Sequence, residues 1–208
     1  MAILFIDTET NKKYDFKAHY TAEHQPYVLQ IAALMFDDNR KKINEASLLV
    51  YPYGLWDSID TEAEEIHGIS YDMCKKYGIP PNIALDTITY MFGNCDTLVG
   101  HNLSHEINML LRTEHVAGPK HVAMKDVLSQ MEERMNKAGF CTMKEFTKRN
   151  TLPGNKWNKW ASLQEMHKFY FGKGFDGAHD ALADVWATAR CYFEMKDREE
   201  NIDYDQPN

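Results

Sequence analysis

The order of patterns along this chain predicts an α/β fold, a mixed central β-sheet flanked by α-helices. Short apolar strand patterns crowd the first fifty residues, and helical periodicities dominate the chain beyond residue 60. Neither an internal repeat nor a low-complexity linker interrupts the chain, so one domain is expected over residues 1–196, with a charged, frayed tail at 197–208.

The opening AILFID is a β-branched and aromatic run ending in acids, which reads as the first strand. Tyr27 to Phe36 forms a second apolar run, and Glu45 to Tyr51 a third, with DDNRKK as the turn of a meander. Between the first two lies a polar segment, Thr10 to Pro26, expected as a long loop near the first strand's end. A helix is predicted over Asp60 to Ile66, with Thr61 as cap and Glu64 three residues later, ended by His67-Gly68-Ile69. Asn82 to Phe92 reads as an amphipathic helix after the Pro80-Pro81 stop, and Thr97 to Gly100 as a buried strand. Ser104 is placed to cap the next helix, whose inner face carries Glu106, Met109 and Leu110. Further helices are predicted at Lys125 to Ala138, Ser162 to Tyr170 and Ala181 to Glu194, the last two joined by the turn-rich FGKGFDGAH. The region Thr142 to Trp160 is the most basic stretch, with Lys144, Lys148, Arg149, Lys156 and Lys159.

Composition narrows the function classes. A chain of 208 residues can bury a core without disulfides, and 44% hydrophobic with 26% charged residues fits neither wholesale disorder nor a membrane protein. No apolar run is long enough to span a bilayer, so no membrane partner is expected. The start MAILFIDTET lacks the pattern of a secretory signal, which points to an intracellular location, cytoplasmic or nucleoid-associated. Cys74, Cys95, Cys141 and Cys191 form no CxxC pair and read as reduced, mostly buried thiols. A net charge of −8 argues against nonspecific coating of nucleic acid, which depends on many cationic side chains. It does not argue against a nuclease, because carboxylates gathered around cations make an acidic site.

Asp7 and Glu9 stand two apart at a strand end, so the period of two points both to one face. Carboxylates aimed together repel unless a cation lies between them, and hard ions such as Mg²⁺ or Mn²⁺ suit oxygen ligands. Acids at a strand end are also commonly just solvated. A second cluster, His179-Asp180-Ala181-Leu182-Ala183-Asp184, opens the last helix. Asp184, one turn in, suits a metal ligand; His179 suits a general base, since histidine titrates near neutrality, or else caps and packs the helix.

FIDTET, LVGHNLSHEINMLL and GAHDALADVWATARCYFEM, in this order, resemble the three motifs of the DEDD exonuclease superfamily, histidine subtype (DEDDh), which includes the proofreading epsilon subunit of bacterial replicative polymerase and exonuclease X. The resemblance spans Ala2 to Met195 and takes in LQIAALMFD, IHGIS, CTMK and NKWASLQEM. It implies a ribonuclease-H-like fold and two divalent cations, Mg²⁺ or Mn²⁺, with Asp7, Glu9 and Asp184 as ligands and His179 as general base. The implied reaction hydrolyses the terminal phosphodiester at a 3′ end and releases a nucleoside 5′-monophosphate. Glu106 stands where the second motif places Asp, and His105 where it places an aromatic or apolar residue. The extra methylene displaces the carboxylate by roughly 1.5 Å if the backbone stays put. Glu106 then reaches the metal through a water or a shifted helix, or His105 assists, or the site is weakened.

Thr8 and Thr10 are candidates to contact the terminal nucleotide or to cap the strand end. Asn102 can bond a sugar or phosphate or fix the loop before its helix; His67 can shape the site or close a turn. Trp157 and Trp160, interleaved with Lys156 and Lys159, can stack on bases beside phosphate-tracking lysines, or pin the loop to the core. No GxSxG elbow is present, which removes serine hydrolase chemistry. The expected substrate is DNA, single-stranded or frayed, in proofreading, repair or degradation, with room for a polymerase or helicase partner. RNA or oligoribonucleotides are the alternative substrate. The alternative class is a noncatalytic domain that binds nucleic acid or a polymerase.

Overall fold

The computed structural model describes residues 1–117, 133, 139–149 and 159–204. Its strands are β1 (Ala2–Thr10), β2 (Val28–Asp37), β3 (Lys42–Leu49), β4 (Thr97–Gly100) and β5 (Gly139–Cys141). They form one sheet in the order β3-β2-β1-β4-β5. The first three make an antiparallel meander, while β1 pairs with β4, and β4 with β5, in parallel. The expected mixed sheet is therefore present. β3 starts earlier than its apolar pattern suggests because its pairing with β2 continues to Lys42 across a register shift at Met35/Phe36.

The described helices are α1 (Thr61–His67), α2 (Tyr71–Tyr77), α3 (Pro81–Gly93), α4 (Leu103–Ala117), α5 (Thr142–Arg149), α6 (Leu163–Phe171) and α7 (Ala181–Tyr204). Alternation along the strands divides the core into two layers. Leu4, Ile6, Ile31 and Ala33 pack against Ile88 and Phe92 of α3 and Ile107 and Leu110 of α4. Phe5, Ala32, Leu34 and Val99 face Ala181, Val185 and Ala189 of α7 on the opposite side. A third cluster seats α5 and α6 on α7 through Phe146, Met166, Ala187 and Cys191. All four cysteines are free, and three of them are buried.

Several local expectations need correction. Thr61 is the first helical residue rather than the cap; Asp60 holds that position without a side-chain bond. Ser104 lies inside α4, which starts directly after Asn102, a residue in the left-handed region at φ 74°. Pro81 begins α3 instead of ending the segment before it, as proline at the first helical position can because that N–H has no intrahelical partner. α2 was not anticipated: Ser70 accepts a bond from the Met73 N–H, yet only Cys74 of this helix is buried, so no apolar stripe marks it. Ser162 caps α6 in a reciprocal capping box with Glu165.

α7 runs on to Tyr204 instead of stopping at Glu194. Arg198 bonds Glu194 at 2.8 Å and Lys196 bonds Glu199 at 3.0 Å, helical spacings that support the last turns. Arg40 and Arg149 tie Asp197 and Glu199 to the rest of the fold. The segment expected as a helix at 125–138, apart from residue 133, lies outside the described residues, as do Lys156 and Trp157.

Candidate active site

β1 pairs with β4 only as far as Phe5↔Val99, so its acidic end runs beyond the parallel pair. β4 ends at Gly100, where a side chain would meet the Leu103 Cα at 3.2 Å and Leu103 Cδ1 at 3.1 Å. This close turn starts α4 beside the free flank of β1. Glu106, 3% exposed, comes within hydrogen-bond reach of Thr8. The Thr8 hydroxyl donates to Glu106 Oε2 at 2.6 Å, and the Thr8 backbone N–H also bonds this carboxyl.

Asp7 and Glu9 project from the opposite face of β1, toward the start of α7. Glu9, His179 and Asp184 can bring one ligand atom each within 4.8 Å of one another. In the turn before α7, Gly177 and His179 both have positive φ, 75° and 69°, a conformation glycine adopts freely and that strains His179. At Gly177 a Cβ would also come within 3.3 Å of Ala183 Cβ. The His179 N–H points at both Asp184 oxygens, at 3.4 and 3.3 Å.

Burial and mutual repulsion leave these acids reluctant to ionise. Asp7 is half-buried, and its carboxyl is pushed well above the usual range by desolvation, then by Glu106, Asp184 and Glu9. Burial, with Asp184 and Glu106, raises Glu9 to about 8. Burial likewise raises Glu106 to about 8 against the opposing Thr8 bonds, and Asp184 to about 6 against the His179 N–H. Every charged group acting on Asp7, Glu9 and Glu106 is another acid. An all-oxygen set of this kind, with an imidazole at its rim and no thiolate, fits hard divalent cations.

A cleft of about 330 Å³ opens from this cluster, lined by Glu9, Thr10, His67 and His179 on one part and by Lys12 and Lys13 on another. His67 accepts from the Ile69 N–H at 3.0 Å, and burial lowers its pKa. Thr8 and Thr10 are placed differently from each other. Thr8 turns its hydroxyl inward to Glu106, whereas Thr10 lines the cleft and donates to the Lys12 carbonyl at 2.9 Å. Asn102 accepts from the Ser104 hydroxyl at 3.4 Å and its carbonyl from the His105 N–H at 2.7 Å, which fixes the turn into α4. His105 packs edge-on against Tyr14 at 5.3 Å and tilted against Phe16 at 5.9 Å; burial lowers its pKa to about 4. A neutral imidazole thus fills the place for which the motif calls for an aromatic or apolar side chain. Trp160 is 55% exposed, and Trp157, the other half of the expected packing pair, lies outside the described residues.

Two supporting residues escaped the sequence reading. Asp180 caps α7, accepting from the Leu182 and Ala183 N–H groups at 3.0 and 3.1 Å. Gln30, paired with Glu9 across the sheet, accepts from the Ala181 N–H at 3.1 Å and donates to Asp180 at 3.4 Å. A lone glutamine inside the apolar run YVLQIAALMF was the available signal.

Among the described residues no helix is long and apolar enough to cross a membrane. The same fold occurs in E. coli exonuclease I in complex with a dT13 oligonucleotide, at 18% identity and a TM-score of 0.71, covering 98% of this chain and 43% of that one. The zinc-bound form of the E. coli exonuclease I–ssDNA complex is similar at 17% identity and a TM-score of 0.67, covering 98% and 42%. Exonuclease I from Methylocaldum szegediense follows at 17% identity and a TM-score of 0.62, covering 96% and 41%. The chain thus spans about two-fifths of the length of these exonuclease I chains. Comparison with curated proteins gave no match. The family match runs from residue 4 to residue 192 and so takes in all four clustered acids and His179; the chain belongs to the RNase_T family of exonucleases.

Proposed function

We propose that this exonuclease, of the DEDDh type, removes nucleoside 5′-monophosphates one at a time from the 3′ end of single-stranded or frayed DNA. The observation that carries the reading is the convergence of Asp7, Glu9, Glu106 and Asp184, from β1, α4 and α7, on one another beside a cleft that Glu9 and His179 line. Asp7, Glu9, Glu106 and Asp184 are the residues that would hold two Mg²⁺ or Mn²⁺ ions. Once bound, such ions stabilise charge on the attacking and leaving oxygens of an in-line displacement.

The chain's own residues supply the rest. His179 takes the proton of the attacking water from its exposed position. The Asp184 carboxyl holds the His179 backbone, and Gln30 with Asp180 anchors the helix start that presents both. Thr8 fixes the longer Glu106 side chain in one orientation, which supports Glu106 as an adapted ligand over a decayed site. Thr10 and His67 line the space open to the terminal nucleotide. DNA as substrate is supported by the oligonucleotide complexes of the similar exonuclease I structures.

Incubation of 5′-labelled and 3′-labelled single-stranded DNA and RNA with Mg²⁺, Mn²⁺ or EDTA tests the proposal. Stepwise shortening of 5′-labelled DNA with immediate loss of the 3′ label is expected, and only with metal. Faster loss of RNA would move the reading to an oligoribonucleotide exonuclease. Binding without shortening would leave a noncatalytic nucleic-acid domain.

A further inference from the structure

A second cavity, of about 470 Å³, lies beside a different face of α7. Asp184 sits beside Glu9 and His179, whereas Ala183, Ala187 and Arg190, spaced by four and three residues, line the second cavity. The loop before α7 serves both openings: Lys173, Phe175 and Asp176 line the cavity and His179 the cleft.

The chemistry of this cavity differs from that of the cleft. Lys173 and Arg190 have no ion-pair partner among the described residues, in a chain whose net charge is −8, and Asp176 is the acid in the lining. The alanines keep the helix surface low, and Trp186 adds an aromatic wall fixed by its N–H to Glu45 at 3.1 Å. His167, 4% exposed, donates from Nδ1 to the Lys173 carbonyl at 2.8 Å. That bond leaves its Nε2 as an acceptor, and this atom has no partner among the described residues. Cations beside aromatic rings are what a single nucleic-acid strand requires, phosphate on one and base on the other. The volume lies within the usual range of about 300–1,000 Å³ for ligand pockets.

We propose that this cavity is a second nucleic-acid contact, in which Lys173 and Arg190 hold phosphate and Trp186 a base of the strand leading away from the acidic cleft. The inference rests on the exonuclease reading above. Its test compares the wild type with Arg190→Ala and with the Lys173→Glu/Arg190→Glu double variant, both changes being at the surface. Anisotropy of a labelled single-stranded 12-mer, with Ca²⁺ replacing Mg²⁺, is followed against salt, and dinucleotide hydrolysis is measured separately with Mg²⁺. The double variant is expected to bind the 12-mer at least ~10-fold more weakly, with a salt dependence shallower by about 1.4, at ~0.7 per phosphate contact. Dinucleotide hydrolysis and the thermal melt of the variants stay unchanged. Wild-type affinity and salt slope in the double variant would overturn the second contact while the hydrolytic reading stands. Equal competition by dAMP and by an unlabelled 12-mer would overturn it in favour of a free-nucleotide site. Loss of hydrolysis of every substrate by the wild type, with 12-mer binding still sensitive to both changes, would sink the exonuclease reading and keep the contact.

Discussion

Raising the pH should weaken the metal-free protein, and a divalent cation should cancel the effect. Glu9 and Glu106 carry folded-state pKa values of about 8 against an ordinary 4.5. The folded state therefore binds more protons than the unfolded state between these limits, and stability falls as pH rises. Buried histidines act in the opposite direction. His101 and His105 are lowered to about 4, so the unfolded state holds the extra protons and stability rises with pH up to about 6.5. Between pH 7 and 8.5 the histidine contribution has nearly run out and the carboxyls dominate. At about 1.36 kcal/mol per proton and pH unit, each glutamate contributes a loss on the order of 1 kcal/mol over this window, and the two about 2–3 kcal/mol. For a chain of this size that corresponds to a fall in Tm of about 5–10 °C. Thermal melts in EDTA at pH 7 and 8.5 provide the assay, repeated with Mg²⁺ and with Glu9→Gln and Glu106→Gln. Each substitution should reduce the slope, with Asp7 supplying part of what remains, and Mg²⁺ should remove most of it. A flat or rising Tm over this window, or a slope indifferent to both substitutions, would refute the electrostatic account of the cluster.

Three further outcomes are expected from the geometry. Glu106→Asp should slow single-turnover hydrolysis by up to ~100-fold, because the shortened carboxyl loses its contact with Thr8; in a Thr8→Val background the same change should cost much less, as a double-mutant cycle would read. His179→Ala should lower kcat by ~10²–10⁴-fold, while 12-mer binding is retained. Gly78→Ala should destabilise by about 3 kcal/mol, seen as a Tm about 6–12 °C lower, since a Cβ there would lie 2.3 Å from the Cys74 carbonyl and 2.6 Å from the Tyr51 nitrogen.

Local periodicity made much of this molecule legible. The alternation in AILFIDTET placed Asp7 and Glu9 on one face, and the helical spacing after His179 placed Asp184 beside them. What stayed hidden depends on contacts between distant parts of the chain. Thr8 meets Glu106 across 98 residues, so neither the clamp nor its compensation for an added methylene can be read from a motif. Gln30 bonds Asp180 across 150 residues, and only its polarity within an apolar strand hinted at a task. His105, which looks polar in sequence, is made an aromatic-like filler by Tyr14 and Phe16. Element ends were missed where the signal was not apolar: α2 buries one residue, and α7 is prolonged by ion pairs that a charged tail does not reveal.

The central claim is that the four converging acids hold the cations of hydrolysis, and calorimetric titration of Mn²⁺ into the wild type and into Asp7→Asn tests it most directly. Binding of up to two ions per chain in the wild type, reduced to one or none in the variant, is the predicted result. Absence of binding in the wild type, or the same binding in both proteins, would contradict it.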